Sequence, residues 1–399
     1  MALDTTQTHD GVLREKPEPF WLDPKKRAIF FQILVVGAVA LLAWYLISNT
    51  VANLQRQKIA TGFGFLGKEA SFEIGESVIA YDASNTYARA LVVGALNTIK
   101  VSFIGIVITV FLGTFIGIAR LSSNWLISRL AAIYIEGMQD VPVLLQLFFW
   151  YAIFYETLPS PRQALKPMHG VFLCNRGLVM PVPEWHPAYG YVFLAFAAAC
   201  LMVWGLRRWA RKRQDETGKT FPVFRVSLAL VLGLPLGVWA ALGAPFAMSV
   251  PELRGFNFRG GTTWSPEFMA LLLGLILYTA AFVAEAVRAG IQSVSKGQRE
   301  AAMALGLRPA QVLRLVILPQ ALRVIIPPLT SQMLNLTKNS SLAVAIGYPD
   351  FVSVANTTIN QTGQSIEGVA LIMLVYLIFS LSTSAFMNWY NKKVKLVER

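Results

Sequence analysis

The segment EAAMALGLRPAQVLRLVILP, residues 300–319, lies between two long apolar runs in the last third of the chain. It has an apolar stripe beside four polar residues, Glu300, Arg308, Gln311 and Arg314. A helix that carries several charges is costly to place inside a bilayer. The pattern therefore predicts a helical loop between two membrane spans that contacts something outside the lipid.

Glycine and proline divide this loop into two short helices. Gly306 can end the first helix in the left-handed conformation that glycine adopts freely. Pro309 suits the first turn of the second helix, and Pro319 is expected to interrupt the run before the next span. The sequence thus predicts two short helices with a firm bend. Docking in a groove of another protein and lying on the lipid headgroups are both compatible with this spacing, which favours docking.

Small and charged residues in the first helix fit a docking surface. Ala301 and Ala302 have small side chains, so another protein can approach the backbone closely. Arg299 and Glu300 can pair with charges of the partner at the rim of the contact. We therefore expect the first helix to supply the contact.

The chain as a whole is strongly apolar, with 55% hydrophobic residues, 14% charged residues and a mean hydropathy of +0.52. A soluble domain carries about a quarter charged residues. Runs of roughly 20 apolar residues, the length that crosses a bilayer as a helix, recur along the sequence. Gly113 and Gly117 form a small-xxx-small pair that predicts close helix packing. The sequence predicts an all-α protein with eight transmembrane helices, at about residues 28–48, 92–119, 131–155, 190–206, 226–247, 266–286, 324–346 and 367–388.

Basic residues predict how these spans are oriented. Most of the 35 lysines and arginines fall in the N-terminal arm, in alternate loops and in the C-terminal tail. Loops rich in lysine and arginine stay in the cytoplasm, so both termini are expected there. These basic segments beside the membrane explain the net charge of +13, and nucleic-acid binding is not implied.

The spans divide the chain into consecutive parts with different expected roles. Two further helices and a proline-rich loop look inserted between the two halves of a core. The predicted parts are a cytoplasmic arm (1–24), the first helix with an outer loop (25–90), the first part of the core (91–155), the insert (156–265), the second part of the core (266–390) with the loop at about 291–320, and a tail (391–399).

Two long stretches resemble one family of transporters. LYTAAFVAEAVRAGIQSVSKGQREAAMALGL (277–307) and LPQALRVIIPPLTSQMLNLTKNSSLAVAIG (318–347) resemble the polar amino-acid permeases of the ATP-binding-cassette (ABC) family. A third stretch, residues 97–146, resembles the same family, although Gln139 stands where an arginine is usual. The insert and the overall length are most similar to the general L-amino-acid permease subunits. The resemblance implies an ABC importer permease core of type I in the bacterial inner membrane.

The resemblance also implies partners and a docking site. A homologous second permease subunit, an ABC ATPase dimer and a periplasmic solute-binding protein are expected, and the substrate is expected to be a polar L-amino acid such as glutamate, glutamine or aspartate. No cofactor is expected in this chain, since ATP and magnesium belong on the ATPase. The residues that match the ATPase-coupling loop of the family are Gly297, Glu300, Ala301, Ala302, Gly306, Leu318 and Pro319.

A basic residue within the seventh predicted span points to a transport pathway. Lys338 lies about 14 residues into that span, roughly 20 Å from its cytoplasmic start. A cation at this depth is paired or faces water. Contact with the charged groups of an amino acid and a structural role in capping or pairing remain equally open. The polar neighbours expected to share the pathway are Asn335, Asn339, Ser340 and Ser341, above a helix that Pro327 and Pro328 distort.

Glu285 and Arg288 are three residues apart near the inner end of the sixth span, so they can pair on one helix face. The pair fits either a gate or a static brace, and the spacing favours the brace. The sequence has no nucleophile–base triad, metal-ligand cluster or hydrolase elbow, which argues against an enzyme. The remaining alternatives are an ion-coupled secondary amino-acid transporter and a membrane sensor or scaffold that docks a cytoplasmic partner.

Overall fold

The computed structural model describes residues 24–56 and 61–394. The predicted arm of residues 1–24 lies outside this range except for Pro24, and the predicted tail is described only as far as Val394. The described residues form the helices α1 (Pro24–Arg56), α2 (Tyr87–Arg120), α3 (Trp125–Asp140), α4 (Val143–Ala152), α5 (Ala188–Thr217), α6 (Val223–Ala241), α7 (Pro266–Gln292), α8 (Lys296–Ala304), α9 (Pro309–Val312), α10 (Leu318–Asn339), α11 (Phe351–Thr362) and α12 (Ser365–Val394).

Among the described residues, seven stretches of helix are long and apolar enough to cross a membrane, and the pair α3–α4 brings the number to eight if it counts as one span. The predicted all-helical membrane architecture is thereby confirmed. The third predicted span, residues 131–155, is wrong as a single straight helix. The chain bends by 103° between α3 and α4.

Proline causes this bend. Pro142 has no N–H to donate back into α3, and its ring disfavours helical geometry in the preceding Val141, which is extended. The side-chain amide of Gln146 donates to the carbonyl oxygens of Met138 and Val141, at 3.0 and 2.9 Å. The carbonyls at the corner are therefore satisfied without water, as a membrane interior requires.

The core is built where α2 lies along α7, with α10 and α4 packed against α7 as well. Gly113 and Gly117 let the backbones meet: an added Cβ at Gly113 would lie 2.6 Å from Cβ of Val283, and one at Gly117 would lie 2.6 Å from the carbonyl oxygen of Ala284. The close packing predicted for this pair is confirmed.

The insert forms its own small unit. Helices α5 and α6 pack mainly against each other, and most of their apolar side chains are exposed. In α1, no residue whose burial is described is buried. These three helices therefore offer their apolar faces to lipid or to another protein.

Short strands cover one end of the helices, which the sequence did not predict. The four-stranded antiparallel sheet has the order β1 (Leu165–Met168), β2 (Val171–Cys174), β3 (Gly177–Met180) and β8 (Thr262–Trp264). Two further pairs are β4 (Val182–Pro183) with β5 (Met248–Ser249), and β6 (Glu252–Arg254) with β7 (Asn257–Arg259). Strand β8 runs directly into α7, so we call this the sheet end. The segment of α8, the bend after it and α9, residues 296–312, is called the hairpin. The opposite end, where α7 leads to α8, is the hairpin end.

The seventh span differs from its prediction. Helices α9 and α10 are joined by a π-helical turn over residues 313–317, and the run from Pro309 to Ile346 is one candidate span. The expected interruption at Pro319 and the expected short second helix are therefore wrong. Pro319 lies in the first turn of α10. In a regular α-helix its ring would clash with the carbonyl four residues back, and the wider π turn makes room for that ring. Pro327 and Pro328 lie inside α10 and do not end it.

Candidate functional site

The hairpin end holds the bend that the sequence predicted. Gly306 follows α8 with a φ of 79°, in the left-handed region. The N–H of Gly306 donates to the carbonyl of Met303 at 2.9 Å, and the N–H of Leu307 donates to that of Ala302 at 3.3 Å. These two bonds form a Schellman motif, which closes the end of α8. The predicted left-handed stop at Gly306 is confirmed, and Pro309 begins α9 as predicted.

The inner side of the hairpin is packed against the start of the next span. Ala302, Val312 and Ile317 form a buried cluster, and Leu307 packs against it. Ala302 is 5% exposed. The expectation that Ala302 offers its small side chain to a partner is therefore wrong, because its own chain covers it. This cluster therefore packs α8 against the π turn at residues 313–317.

The outer side of the hairpin is polar at its start and apolar at its end. Gly297, Glu300 and Ala301 are exposed. Met303 and Leu305 are also exposed, Leu305 to 82%. A leucine that exposed at the tip of a helix is costly in water, which suits a surface that another protein covers. At the other end of the loop Leu318 is 42% exposed and Pro319 is half-buried.

The hairpin is tied to α7 as well as to α10. Val283, Val287, Ala321 and Ile325 form a buried cluster between these helices. Gly290 allows the contact, since an added Cβ would lie 2.3 Å from the side chain of Ile325. The bases of α7 and α10 therefore move together.

Glu285 and Arg288 form the predicted pair at the hairpin end of α7. The guanidinium Nε donates to Oε2 of Glu285 at 2.8 Å, and Nη2 donates to Oε1. Such a two-point contact holds both side chains in one geometry. The pairing is observed, and both of its proposed roles, gate and brace, use the same geometry.

Polar side chains on α10 line one exposed stripe. Ser331, Asn335 and Lys338 are exposed, and their spacing of four and three residues places them on one helix face. Lys338 is 20 residues beyond Leu318, about 30 Å along the helix, which is farther from the start of this span than the sequence indicated. Pro327 and Pro328 lie on the same face and are exposed.

The remaining predicted pathway residues do not all share this face. Asn339 and Ser341 are half-buried, and the hydroxyl of Ser341 donates to the carbonyl of Lys338 at 2.7 Å. Ser340 is fully buried, and its hydroxyl donates to the carbonyl of Thr337 at 2.7 Å. Ser340 therefore does not line an open pathway.

A half-buried ion pair near the sheet end was missed from sequence. The ammonium of Lys100 contacts Oε1 of Glu76 and lies 4.2 Å from the centre of the Phe268 ring. The other carboxylate oxygen, Oε2, accepts a hydrogen bond from the hydroxyl of Ser265 at 2.7 Å. This network joins the loop before α2, α2 itself and the start of α7. Lys100 inside an apolar run was the available signal, because such a cation needs a carboxylate.

A buried carboxyl group, also missed, lies where α11 begins. Oδ1 of Asp350 accepts from the N–H of Ser353 at 2.9 Å, and Oδ2 accepts from the hydroxyl of Tyr376 at 3.1 Å. Burial raises the pKa of Asp350 to about 6, and these hydrogen bonds offset part of that effect. Beside it, the amide of Asn97 donates to the carbonyl of Pro349 at 2.9 Å. The sheet end of the core is thus closed by polar contacts.

Among residues 24–56 and 61–394, no group of three or more histidine, cysteine, aspartate or glutamate side chains could hold a metal ion. What the described geometry provides is mechanical: an exposed hairpin, a continuous helix attached to it, and a polar face farther along that helix.

The family model described as "Binding-protein-dependent transport system inner membrane component" matches residues 216–396. The chain is 48% identical over 398 residues to the general L-amino acid transport system permease protein AapQ of Rhizobium johnstonii, covering 100% of this chain and 99% of that protein.

Two further relatives are similar over almost their whole length. The putative amino-acid ABC transporter permease protein YhdX of Escherichia coli K12 is 50% identical over 378 residues, covering 94% of this chain and 96% of that protein. The glutamate/glutamine/aspartate/asparagine transport system permease protein BztB of Rhodobacter capsulatus is 42% identical over 410 residues, covering 94% of this chain and 96% of that protein.

Proposed function

Because this chain belongs to the amino-acid permeases of the ABC transporter family, multi-pass proteins of the inner membrane, we propose that it forms half of the pathway of an importer for polar L-amino acids. Two of its relatives are named for general L-amino acids and for glutamate, glutamine, aspartate and asparagine. The substrate class is carried over from these names. A zwitterionic cargo needs polar groups along its route, and the stripe on α10 supplies them.

The hairpin is the observation that carries the proposal. Its exposed side, with Glu300, Ala301 and Leu305, fits the groove of a separate ATPase subunit. Its inner side is fixed to the π turn and α10 through Ala302 and Ile317. When ATP draws two ATPases together, each attached hairpin follows, and the base of α10 moves with it. ATP and magnesium act on that partner, and this chain does not hydrolyse ATP.

The polar stripe supports a second permease chain opposite α10. Asn335 and Lys338 are exposed in this chain, and such groups are costly against lipid. A homologous subunit facing them encloses a path between the two chains, so that the stripe meets water and substrate. We infer a heterodimer, with a solute-binding protein delivering amino acids at the sheet end and α8 on the cytoplasmic side.

A reconstituted system tests this function against ion-coupled transport and against a scaffold role. Vesicles contain this chain, the second permease and the ATPase, with the binding protein outside and ATP inside. We expect uptake of labelled glutamate that requires ATP and that unlabelled glutamine and aspartate compete away. Uptake driven by a proton or sodium gradient without ATP, or binding of the ATPase without any uptake, contradicts the proposal.

A further inference from the structure

Helix α5 is longer than its partner α6 and extends beyond it. The 30 residues of α5 span about 45 Å, whereas the 19 residues of α6 span about 28 Å, close to the thickness of a hydrocarbon core. The extension is strongly basic. Its five lysines and arginines are Arg207, Arg208, Arg211, Lys212 and Arg213.

A cleft of about 270 Å³ opens between this extension and the segment that leads into α6. It is lined by Arg207, Ala210, Arg211, Gln214, Phe221 and Val223. Arg207 and Arg211 are one helical turn apart, and Gln214 follows on the same side. Arg207, Arg211 and Gln214 therefore line one side of the cleft, and Phe221 and Val223 line the other.

The neighbouring cations are already engaged, whereas those of the cleft are not. Arg208 lies 4.0 Å from the centre of the Trp204 ring and Arg213 lies 5.2 Å from that of Trp209. Lys212 pairs with Glu216 at 3.7 Å. Within the described ranges, Arg207 and Arg211 have no hydrogen bond or carboxylate partner. A pair of adjacent unpaired guanidinium groups favours an anion that both can contact.

Exposed aromatic residues lie beside the cleft on both helices. Trp204 and Trp209 on α5 and Phe224 on α6 are exposed by 57%, 49% and 78%. Exposed aromatic residues next to basic ones mark the boundary between hydrocarbon and water. An anion that enters here with an apolar tail can leave that tail in the bilayer, against Phe221 and Val223.

We propose that the cleft binds the phosphate of an anionic phospholipid. Arg207 and Arg211 bind the phosphate oxygens, Gln214 donates to the headgroup, and Phe221 and Val223 contact the glycerol and the upper acyl chains. Basic pockets between membrane helices are suited to such headgroups. Helices α5 and α6 pack mainly against each other, and the bound lipid holds this pair at a fixed depth beside the core.

Lipid binding by the purified full-length chain tests the proposal. The protein in neutral detergent is titrated with phosphatidylglycerol or phosphatidylcholine, and bound lipid is counted by native mass spectrometry. We expect saturable retention of phosphatidylglycerol over phosphatidylcholine. Arg207→Gln with Arg211→Gln should weaken this retention about tenfold or more, since two charge-assisted contacts are lost. The control, Arg208→Gln with Arg213→Gln, removes the same charge from the same helix outside the cleft and should retain the lipid.

Three outcomes overturn the proposal. Equal loss in the two double variants means that the basic belt attracts lipid by charge alone. Displacement of phosphatidylglycerol by millimolar inorganic phosphate means that the site takes a free anion and not a lipid. The double variant Arg207→Lys with Arg211→Lys preserves the charge and should fold in any case. If it retains the lipid as well as the wild type does, the two-point guanidinium contact has no role. We expect partial loss in that pair.

Discussion

At the scale of single residues, Lys338 is the most informative side chain for transport. It is exposed on the polar stripe of α10, where an uncompensated charge is costly against lipid. If it meets the carboxylate of the cargo, Lys338→Met should raise the apparent KM for glutamate about tenfold or more. Initial uptake rates over a range of glutamate concentrations measure this effect.

The matched control for Lys338 is Lys212→Met, the same substitution at an exposed lysine of α5 outside the polar stripe. The apparent KM of the control should change little. The apparent KM of Lys338→Arg should lie between that of the control and that of Lys338→Met. A stably inserted Lys338→Met protein with unchanged uptake and selectivity contradicts direct contact and leaves Lys338 a structural role.

Asp350 gives the folded protein a pH dependence of its own. Its pKa is about 6 in the folded chain against an ordinary 3.8, so folding favours the protonated form. The resulting stabilisation is fully present below pH 3.8 and is lost as the pH rises to about 6. The free energy of unfolding should fall by up to about 3 kcal/mol across this window.

Asp350→Asn should flatten this slope, because asparagine is neutral and still accepts from the N–H of Ser353. Thermal unfolding in detergent between pH 4 and pH 7 measures the difference. Asp82→Asn is the control, since that carboxyl is fully exposed and hydrogen bonds from Ser84 lower its pKa. If Asp350→Asn keeps the wild-type slope between pH 4 and pH 6, burial of Asp350 does not control it.

At the scale of elements, the contact between α2 and α7 depends on missing side chains. Gly113→Ala should lower stability by about 1–3 kcal/mol, because the new Cβ meets Val283 at 2.6 Å. Gly37→Ala on α1 meets no atom within 4 Å and should be neutral or gain up to about 1 kcal/mol. Unfolding in graded mixtures of mild and denaturing detergent compares the two. Equal stability of both variants argues against close packing of α2 on α7.

Local signals in the sequence predicted some elements well. The left-handed Gly306 and the pairing of Glu285 with Arg288 each depend on residues within one or two turns. Short-range geometry of this kind is determined by neighbouring residues. The existence of most spans followed from hydropathy for the same reason.

Other features depend on partners distant in sequence. Glu76 contacts both Lys100 and Ser265 only after α2 and α7 have packed, and Ala302 is covered by residues that follow it in the chain. The strands were missed because they are two to four residues long. The corner at Pro142 was missed because a long apolar run resembles one straight helix. In each case the pattern of apolar and polar residues indicated whether a segment lies in the membrane, and tertiary contacts determined its geometry.

At the scale of the whole molecule, one mechanical path joins the two ends. The hairpin is fixed to the π turn, the π turn continues into α10, and α10 is locked to α7 at Gly290. Movement of α8 at one end therefore reaches the polar stripe of α10. The sheet end is closed by the contacts of Glu76 and Asp350, so we expect opening there to require the whole core to shift.

The most direct test of this account strains the backbone at the hairpin bend. Gly306 and Gly363 both end helices, with φ of 79° and 72°, and an added side chain meets no atom at either. Valine at either position carries a backbone strain of about 1–3 kcal/mol. In the reconstituted importer, Gly306→Val should reduce ATP-driven uptake at least about tenfold, while Gly363→Val stays near the wild-type rate. Equal uptake by these two variants, both stably inserted, contradicts the hairpin as the part that couples ATP to transport.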